Sequence, residues 1–193
     1  MPAIDTELMT LPPALLYARL LRQSHELVAR NKGDTPEAEA LAEQMDQPWY
    51  ALTAQEQRRM RGLSADLHAL REGGMKQVEM TPDQLAVWQH DGREAFERSE
   101  LGDVDALLDF LRQPIPSKLP RHIVSFLQAR SWEKLGDLET ALVFMKEADH
   151  RDPGQTVSVL TLLQRLGRVE EAAMYAERII ARPEATPEEL YLA

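Results

Sequence analysis

The chain contains no cysteine among its 193 residues, and its basic residues are outnumbered 22 to 32 by acidic ones. Without thiols there is no disulfide framework, no thiolate zinc or iron-sulfur centre and no cysteine nucleophile. The net charge of -10 opposes attraction to phosphate backbones and anionic lipid. No stretch approaches the roughly 18 consecutive apolar residues that a spanning helix needs. We therefore expect neither nucleic acid nor membrane as a partner, and no cofactor or metal.

The N-terminal residues lack the positive charge of a secretory signal. Before the first long apolar run they carry only two charged side chains, the acids Asp5 and Glu7, where such a signal carries Lys or Arg. We expect the mature chain to be the whole chain, and its location to be cytoplasmic.

Apolar residues recur with a period near 3.6 along most of the chain, and no alternating run of β-branched residues is present. This pattern predicts an all-α protein. A first helix is expected from Pro12-Pro13 to about Asn31 and is ended by Gly33. A second is expected from Thr35-Pro36 to about Met45.

Beyond that helix, Pro48-Trp49-Tyr50 is interpreted as an aromatic corner that packs in the core. Thr53 and Glu56 have the spacing of a capping box, which predicts a third helix that stops at Gly73-Gly74. Two consecutive glycines are costly inside a helix, and the next capping box comes only at Thr81. We therefore predict an N-terminal helical region over residues 1–74 and a second region over residues 81–193, unless the two form one continuous domain.

An internal repeat is the strongest signal in the second region. Its three copies are Leu101-Gly102-Asp103-Val104-Asp105, Leu135-Gly136-Asp137-Leu138-Glu139 and Leu166-Gly167-Arg168-Val169-Glu170. Their glycines lie 34 and 31 residues apart. A period near 34 with glycine at a turn between helices is typical of an array of helical hairpins. Each glycine is placed where a chain leaving a helix adopts a positive φ at little cost.

The central copy resembles the tetratricopeptide repeat family. The matching residues are Ala129 and Trp132 in the first helix, Gly136-Asp137 at the turn, Ala141 and Ala148 in the second helix, and Asp152-Pro153 at the end. In the copy at Gly102, Pro114 and Pro116 are expected to cut the second helix short. The resemblance covers residues 81 to 185 and implies a right-handed solenoid of helical hairpins.

The resemblance also implies a function and a surface. In this family a ligand usually lies along the concave face formed by the first helices of successive hairpins. The matching positions here are Ile123, Phe126, Arg130, Val157, Thr161 and Gln164. The leading hypothesis is therefore a noncatalytic protein-protein interaction module or adaptor, with another protein or peptide as its partner and no enzymatic activity. Because Arg130 is the only basic residue in this set, we expect a neutral to apolar groove.

Two other functional classes stay open at this stage. His90 and Glu94 lie four residues apart on one helix face, a spacing at which two side chains can share a metal or act as acid and base. This would suit an enzyme or a metal-binding protein. The run Arg58-Arg59-Met60-Arg61 is the only basic cluster and would suit an RNA-binding helical protein. A solvated helix surface is the simpler interpretation of both patterns.

The last helix is expected to begin at Thr186-Pro187 and is followed only by Leu190, Tyr191, Leu192 and Ala193. Isolated helices shorter than about 12 residues are marginal in water. A segment this short is not expected to cover the hairpin formed by Val169 to Ile180. Either it folds back as a short stub on a monomer, or the exposed end pairs with a second copy; we favour a weak homodimer.

Overall fold

The chain is all-helical in a computed structural model that describes residues 11–71, 81–114, 116, 119–151 and 153–192. Helices account for 82% of these residues, and no strand occurs among them. The all-α prediction is therefore confirmed. None of the described helices is both long and apolar enough to cross a membrane. The chain divides into two compact units, unit 1 over Met1–Met75 and unit 2 over Lys76–Ala193.

Unit 1 contains three described helices: α1 Pro13–Ala29, α2 Pro36–Ala51 and α3 Ala54–Arg71. Helix α1 packs against both of the others, and a core of buried leucines joins it to α2: Leu20, Leu27 and Leu41. The predicted capping box begins α3, since the Thr53 backbone N–H donates to Glu56 Oε2 at 2.8 Å and the Glu56 backbone N–H donates to Thr53 Oγ1 at 3.2 Å. The expected stop at Gly73-Gly74 and the segment from Met75 to Met80 lie outside the described residues.

The residue that was predicted to end α1, Gly33, is wrong. Asn31, not Gly33, adopts the positive φ, at 57°. The Asn31 N–H donates to the carbonyl of Val28 and the Lys32 N–H donates to that of Leu27, which is the Schellman pattern of helix termination. Asparagine tolerates the left-handed conformation better than other non-glycine residues, so the helix ends before the glycine is reached.

Helix α2 continues through Pro48 to Ala51, so the predicted end near Met45 and the separate aromatic corner are also wrong. A proline inside a helix removes one hydrogen bond. Here Pro48 is buried, and the adjacent Trp49 ring lies 5.1 Å from the Tyr17 ring and 5.3 Å from the Arg61 guanidinium. Packing of this aromatic pair stabilises the last turn despite the proline. Trp49 packs as that interpretation expected, but Tyr50 is 83% exposed, so the expectation that it packs in the core is wrong.

Unit 2 contains seven described α-helices, six of which form three consecutive hairpins. The pairs are α4 Pro82–Glu100 with α5 Val104–Leu111, α6 Arg121–Lys134 with α7 Leu138–Arg151, and α8 Thr156–Arg165 with α9 Val169–Ile180. A 3-10 turn, Pro153–Gln155, precedes α8, and α10 Pro187–Leu192 follows α9. Contacts between α5 and α6 and between α7 and α8 join neighbouring hairpins. As expected, α5 is short, because it ends just before Pro114.

One turn geometry joins the two helices of every hairpin. Gly102, Gly136 and Gly167 have φ values of 104°, 81° and 68°. In each turn the glycine N–H and the next N–H donate to carbonyls of the preceding helix in the Schellman pattern. At Gly136 the following Asp137 then caps α7, since its carboxylate accepts from the Thr140 N–H at 3.0 Å. The predicted positive φ at the three repeat glycines is confirmed.

A buried carboxylate joins the second hairpin to the third. Asp149, on α7, is only 2% exposed, and its carboxylate accepts from the Thr156 hydroxyl at 2.6 Å. Its second oxygen lies 3.0 Å from Arg178 on α9. The Arg178 guanidinium also lies over the Tyr175 ring at 4.7 Å, and burial, more than the nearby Asp149 charge, raises the pKa of Tyr175. Three helices thus meet at one carboxylate. The end of the central copy at Asp152 lies outside the described residues.

Candidate functional site

A groove opens on the surface of the first hairpin, between α4 and α6. Its volume is about 240 Å³. The lining residues are Trp88, Gln89, Gly92, Arg93 and Phe96 on α4, Leu107 on α5 and Leu127 on α6. The surface they present is mainly apolar, with one amide and one guanidinium.

The floor of the groove is shaped by a glycine inside α4. The Trp88 and Phe110 rings stack with centroids 5.4 Å apart, and both pack in the cluster around Ala95 and Leu107. A methyl group at Gly92 would lie 2.9 Å from Trp88 Cε3 and 3.2 Å from Phe110 Cε1. Only glycine therefore allows the indole to lie against its own helix. Glycine costs about 1 kcal/mol of helix stability relative to alanine, so close ring packing is the physical reason for it here.

An apolar stripe runs along α4 at the groove. Leu85, Trp88, Gly92 and Phe96 follow the three- and four-residue spacing of one helix face. Trp88 is half-buried, whereas Leu85 and Phe96 are 42% and 44% exposed. Contiguous exposed apolar surface beside a groove is typical of an interaction site.

The groove lies at the repeat positions that the resemblance singled out, but in a different copy. Gln89, Gly92 and Phe96 precede Gly102 by the same numbers of residues that separate Ile123, Phe126 and Arg130 from Gly136. The sequence pattern assigned no partner-binding residue to this first copy, because its short second helix made the copy look degenerate, and it singled out only His90 and Glu94 there for the metal or acid-base alternative. The glycine register was the signal that would have found them.

The predicted residues on α6 lie on a partly exposed surface. Ile123 and Phe126 are half-buried, and Arg130 is exposed. Arg130 forms an ion pair with Glu133 one turn later, and the same carboxylate pairs with Arg165 at the end of α8. Because Glu133 already engages Arg130, that guanidinium is not a free cation. This part of the predicted surface is charge-compensated.

Of the three predicted residues on α8, Gln164 is bonded to the last helix. Val157 is half-buried, and its carbonyl accepts from the exposed Thr161 hydroxyl at 3.0 Å. The side-chain amide of Gln164 donates to the Leu192 carbonyl at 3.4 Å. Helix α10 therefore folds back beside α8 and α9, as the stub alternative expected. Held this way, α10 occupies the end of the surface assigned to α8.

The residues of the enzyme and metal alternative are on the open surface of α4. The His90 side chain is 83% exposed, and its Nδ1 lies 2.9 Å from Asp91 Oδ1. Among the residues that the structure describes, no group of three or more histidine, aspartate or glutamate side chains is placed to hold a metal ion. Among the described residues, His90 and Asp91 thus form a pair of adjacent surface side chains, not an enclosed site for a metal or a substrate.

The arginines of the RNA alternative belong to α3. Arg61 lies over Trp49, as described above, and Arg58 is exposed. On the same helix, the Ser64 hydroxyl lies 3.2 Å from His25 Nε2 of α1. Burial, with a smaller contribution from Arg71, lowers the pKa of His25. The His25–Ser64 contact joins α1 to α3, and Arg61 joins α3 to α2 through Trp49, while Arg58 and Arg61 remain exposed to solvent.

Comparison with known proteins places the chain in no group. No family model matches it, and the comparisons with curated proteins and with solved structures found no match either. The functional interpretation therefore depends on the geometry of the groove and on the repeat register.

Proposed function

We propose that the chain is a noncatalytic protein-binding module, an adaptor of tetratricopeptide-like architecture. Its binding face is formed by the first helices of the three hairpins, α4, α6 and α8. The observation that carries the proposal is the apolar groove lined by Trp88, Phe96 and Leu127, at repeat positions where such a face would lie. Partly exposed aromatic rings in a groove are the side chains that dominate binding energy at protein interfaces.

Ion pairs between successive first helices support the side-by-side arrangement that the proposal needs. Lys134, at the end of α6, pairs with Glu100 at the end of α4. Glu133, also at the end of α6, pairs with Arg165 at the end of α8. Because the same ends of α4, α6 and α8 are in contact in order, the proposed face is continuous from the groove to the residues Phe126 and Val157.

A peptide library tests this function on the full chain. Random 12-residue peptides displayed on phage are selected against it, and enriched peptides are synthesised for fluorescence anisotropy. We expect Phe96→Ser to weaken their binding at least tenfold, about 1.4 kcal/mol. Met174→Ser removes another exposed apolar side chain, on α9, and is expected to leave peptide binding unchanged.

Two results would contradict the proposal: no peptide is enriched, or enriched peptides bind the Phe96 variant as well as the original chain. Circular dichroism of the Phe96 variant controls for unfolding. Salt titration separates this function from RNA binding. Groove binding is expected to change little with salt, whereas binding to phosphates falls steeply.

A further inference from the structure

The groove contains a cation, Arg93, that has no partner among the residues that the structure describes. Arg93 makes no ion pair or hydrogen bond with any described residue. Every other lysine or arginine described in unit 2 has at least one such partner or another close interaction. In a unit with an excess of acids, a guanidinium that has no partner in the described part of the chain and lies beside an apolar groove favours an occupant that combines an apolar side chain with a carboxylate.

Helix α10 of the same chain has this combination on its surface. Tyr191 is 90% exposed, with Leu190 and Leu192 half-exposed beside it. Glu188 lies three residues before Tyr191, so the carboxylate and the phenol ring share one helix face. Glu188 is exposed and has no polar partner among the described residues.

The rest of α10 is held by its own chain and leaves that face free. The carboxylate of Glu189 accepts from Arg182 at 2.6 Å and from the Thr186 N–H at 2.8 Å. The Leu192 carbonyl accepts from Gln164. These bonds fix the orientation in which Tyr191 and Glu188 face solvent.

We propose that the occupant of the groove is α10 of a second copy of this chain. The Tyr191 ring enters between Trp88, Phe96 and Leu127, and Glu188 pairs with Arg93. A cavity of roughly 150 Å³ is enough to hold a benzene molecule, so a groove of about 240 Å³ has room for a phenol ring. The inference rests on the proposed function, because it assigns a partner to the same groove.

The symmetry of the proposed association follows from the two surfaces that meet in it. Groove and α10 are different surfaces, so each contact is heterologous and joins copies head to tail. It does not give the two-fold dimer that equal surfaces form. Such contacts produce closed rings or growing chains, depending on the rotation between copies. The charge of -10 on each copy opposes the association, so the association is weak and requires high protein concentration to be observed.

Sedimentation velocity of the full chain, from micromolar to millimolar concentration, measures the association. We expect the average mass to rise above that of one chain, and both Tyr191→Ser and Arg93→Glu to raise the dissociation constant at least tenfold. The charge swap Arg93→Glu with Glu188→Arg is expected to restore the association. Tyr50→Ser is the matched control, because Tyr50 is an 83% exposed tyrosine in unit 1.

A single-chain mass at every concentration would overturn the proposal, and so would an association that Arg93→Glu and Tyr191→Ser leave unchanged. Loss of association only on substitution of Val169 and Ile180 would assign it to a pair of α9 helices instead. The peptide library distinguishes a failure of self-association from a failure of the proposed function. If peptides still bind at Phe96 while the chain does not associate, only self-recognition is wrong. If no peptide binds there, the proposed function fails as well.

Discussion

The same glycine turn occurs three times in unit 2, whereas unit 1 ends its first helix with an asparagine in that role. Neighbouring hairpins of unit 2 are joined by ion pairs such as Glu133 with Arg165 and by the buried Asp149. In unit 1 the helices are joined by single contacts without a repeat, among them Tyr17 with Trp49 and His25 with Ser64. A turn or contact that recurs in every hairpin gives the sequence a detectable period, whereas a contact that is made only once gives no such pattern.

The largest expected effect comes from Asp149→Ala. Asp149 is buried, but its partner Arg178 is half exposed and stays solvated. The loss therefore comes mainly from the hydrogen bond that the Thr156 hydroxyl donates to the carboxylate, and we expect it to be about 2 kcal/mol. Denaturant unfolding followed by circular dichroism measures the loss. Asp109→Ala removes an exposed carboxylate 3.5 Å from Arg112 and is expected to cost less than about 0.5 kcal/mol. Equal losses in the two variants would show that the buried carboxylate does not join the hairpins.

A smaller effect is expected at the repeated turn. A Cβ atom at Gly136 would meet no atom within 4 Å. The cost of Gly136→Ala is therefore conformational, about 1 kcal/mol, and it is larger for the β-branched Gly136→Val. Gly33 in unit 1 lacks the positive φ. A Cβ there would lie 3.3 Å from Val28 Cγ2, on an exposed side chain that can shift, so Gly33→Ala is expected to be nearly neutral. Thermal unfolding measures both. An unchanged melting curve for Gly136→Val would contradict the role of the glycine in the hairpin.

The shared carboxylate of Glu133 gives a third comparison. Glu133→Gln is expected to destabilise the chain by roughly 0.5 to 1 kcal/mol, because it weakens the ion pairs with Arg130 and Arg165 together. Added salt is expected to reduce the difference. The control Glu26→Gln alters a single exposed pair in unit 1, with Arg30 at 3.6 Å, and should have no measurable effect. A salt-independent loss at Glu133 would indicate packing as the cause.

The smallest effect is a pH dependence confined to unit 1. Burial lowers the pKa of His25 below its ordinary 6.5, so the unfolded chain binds this proton more tightly than the folded one. Stability is therefore complete above pH 6.5 and falls as the pH drops through that value. Hydrogen exchange of the α1 and α3 amides between pH 7 and pH 5.5 measures the loss. His25→Gln is expected to flatten the pH dependence, and an unchanged slope would assign it to other groups.

The parts of the fold that depend on local rules were predictable. Capping boxes at Thr53 and Thr81 and the positive φ of Gly136 follow from a few neighbouring residues. The passage of α2 through Pro48 did not follow, because the stabilising ring of Tyr17 is distant in sequence. The positions that line the groove were available from the glycine register, but the shape of the groove was not. That shape depends on Phe110 lying against Trp88, a contact between two helices.

Helix α10 has six residues, and a helix of that length is marginal without tertiary contacts. Its attachment consists of a few bonds to exposed or half-buried side chains, so its local opening costs much less free energy than global unfolding. The amides of α10 are therefore expected to exchange with solvent well before those of α7. Each opening frees the Gln164 amide from the Leu192 carbonyl. A partner that binds this amide therefore competes with α10, and its apparent binding constant is the intrinsic one multiplied by the fraction of chains in which α10 is open.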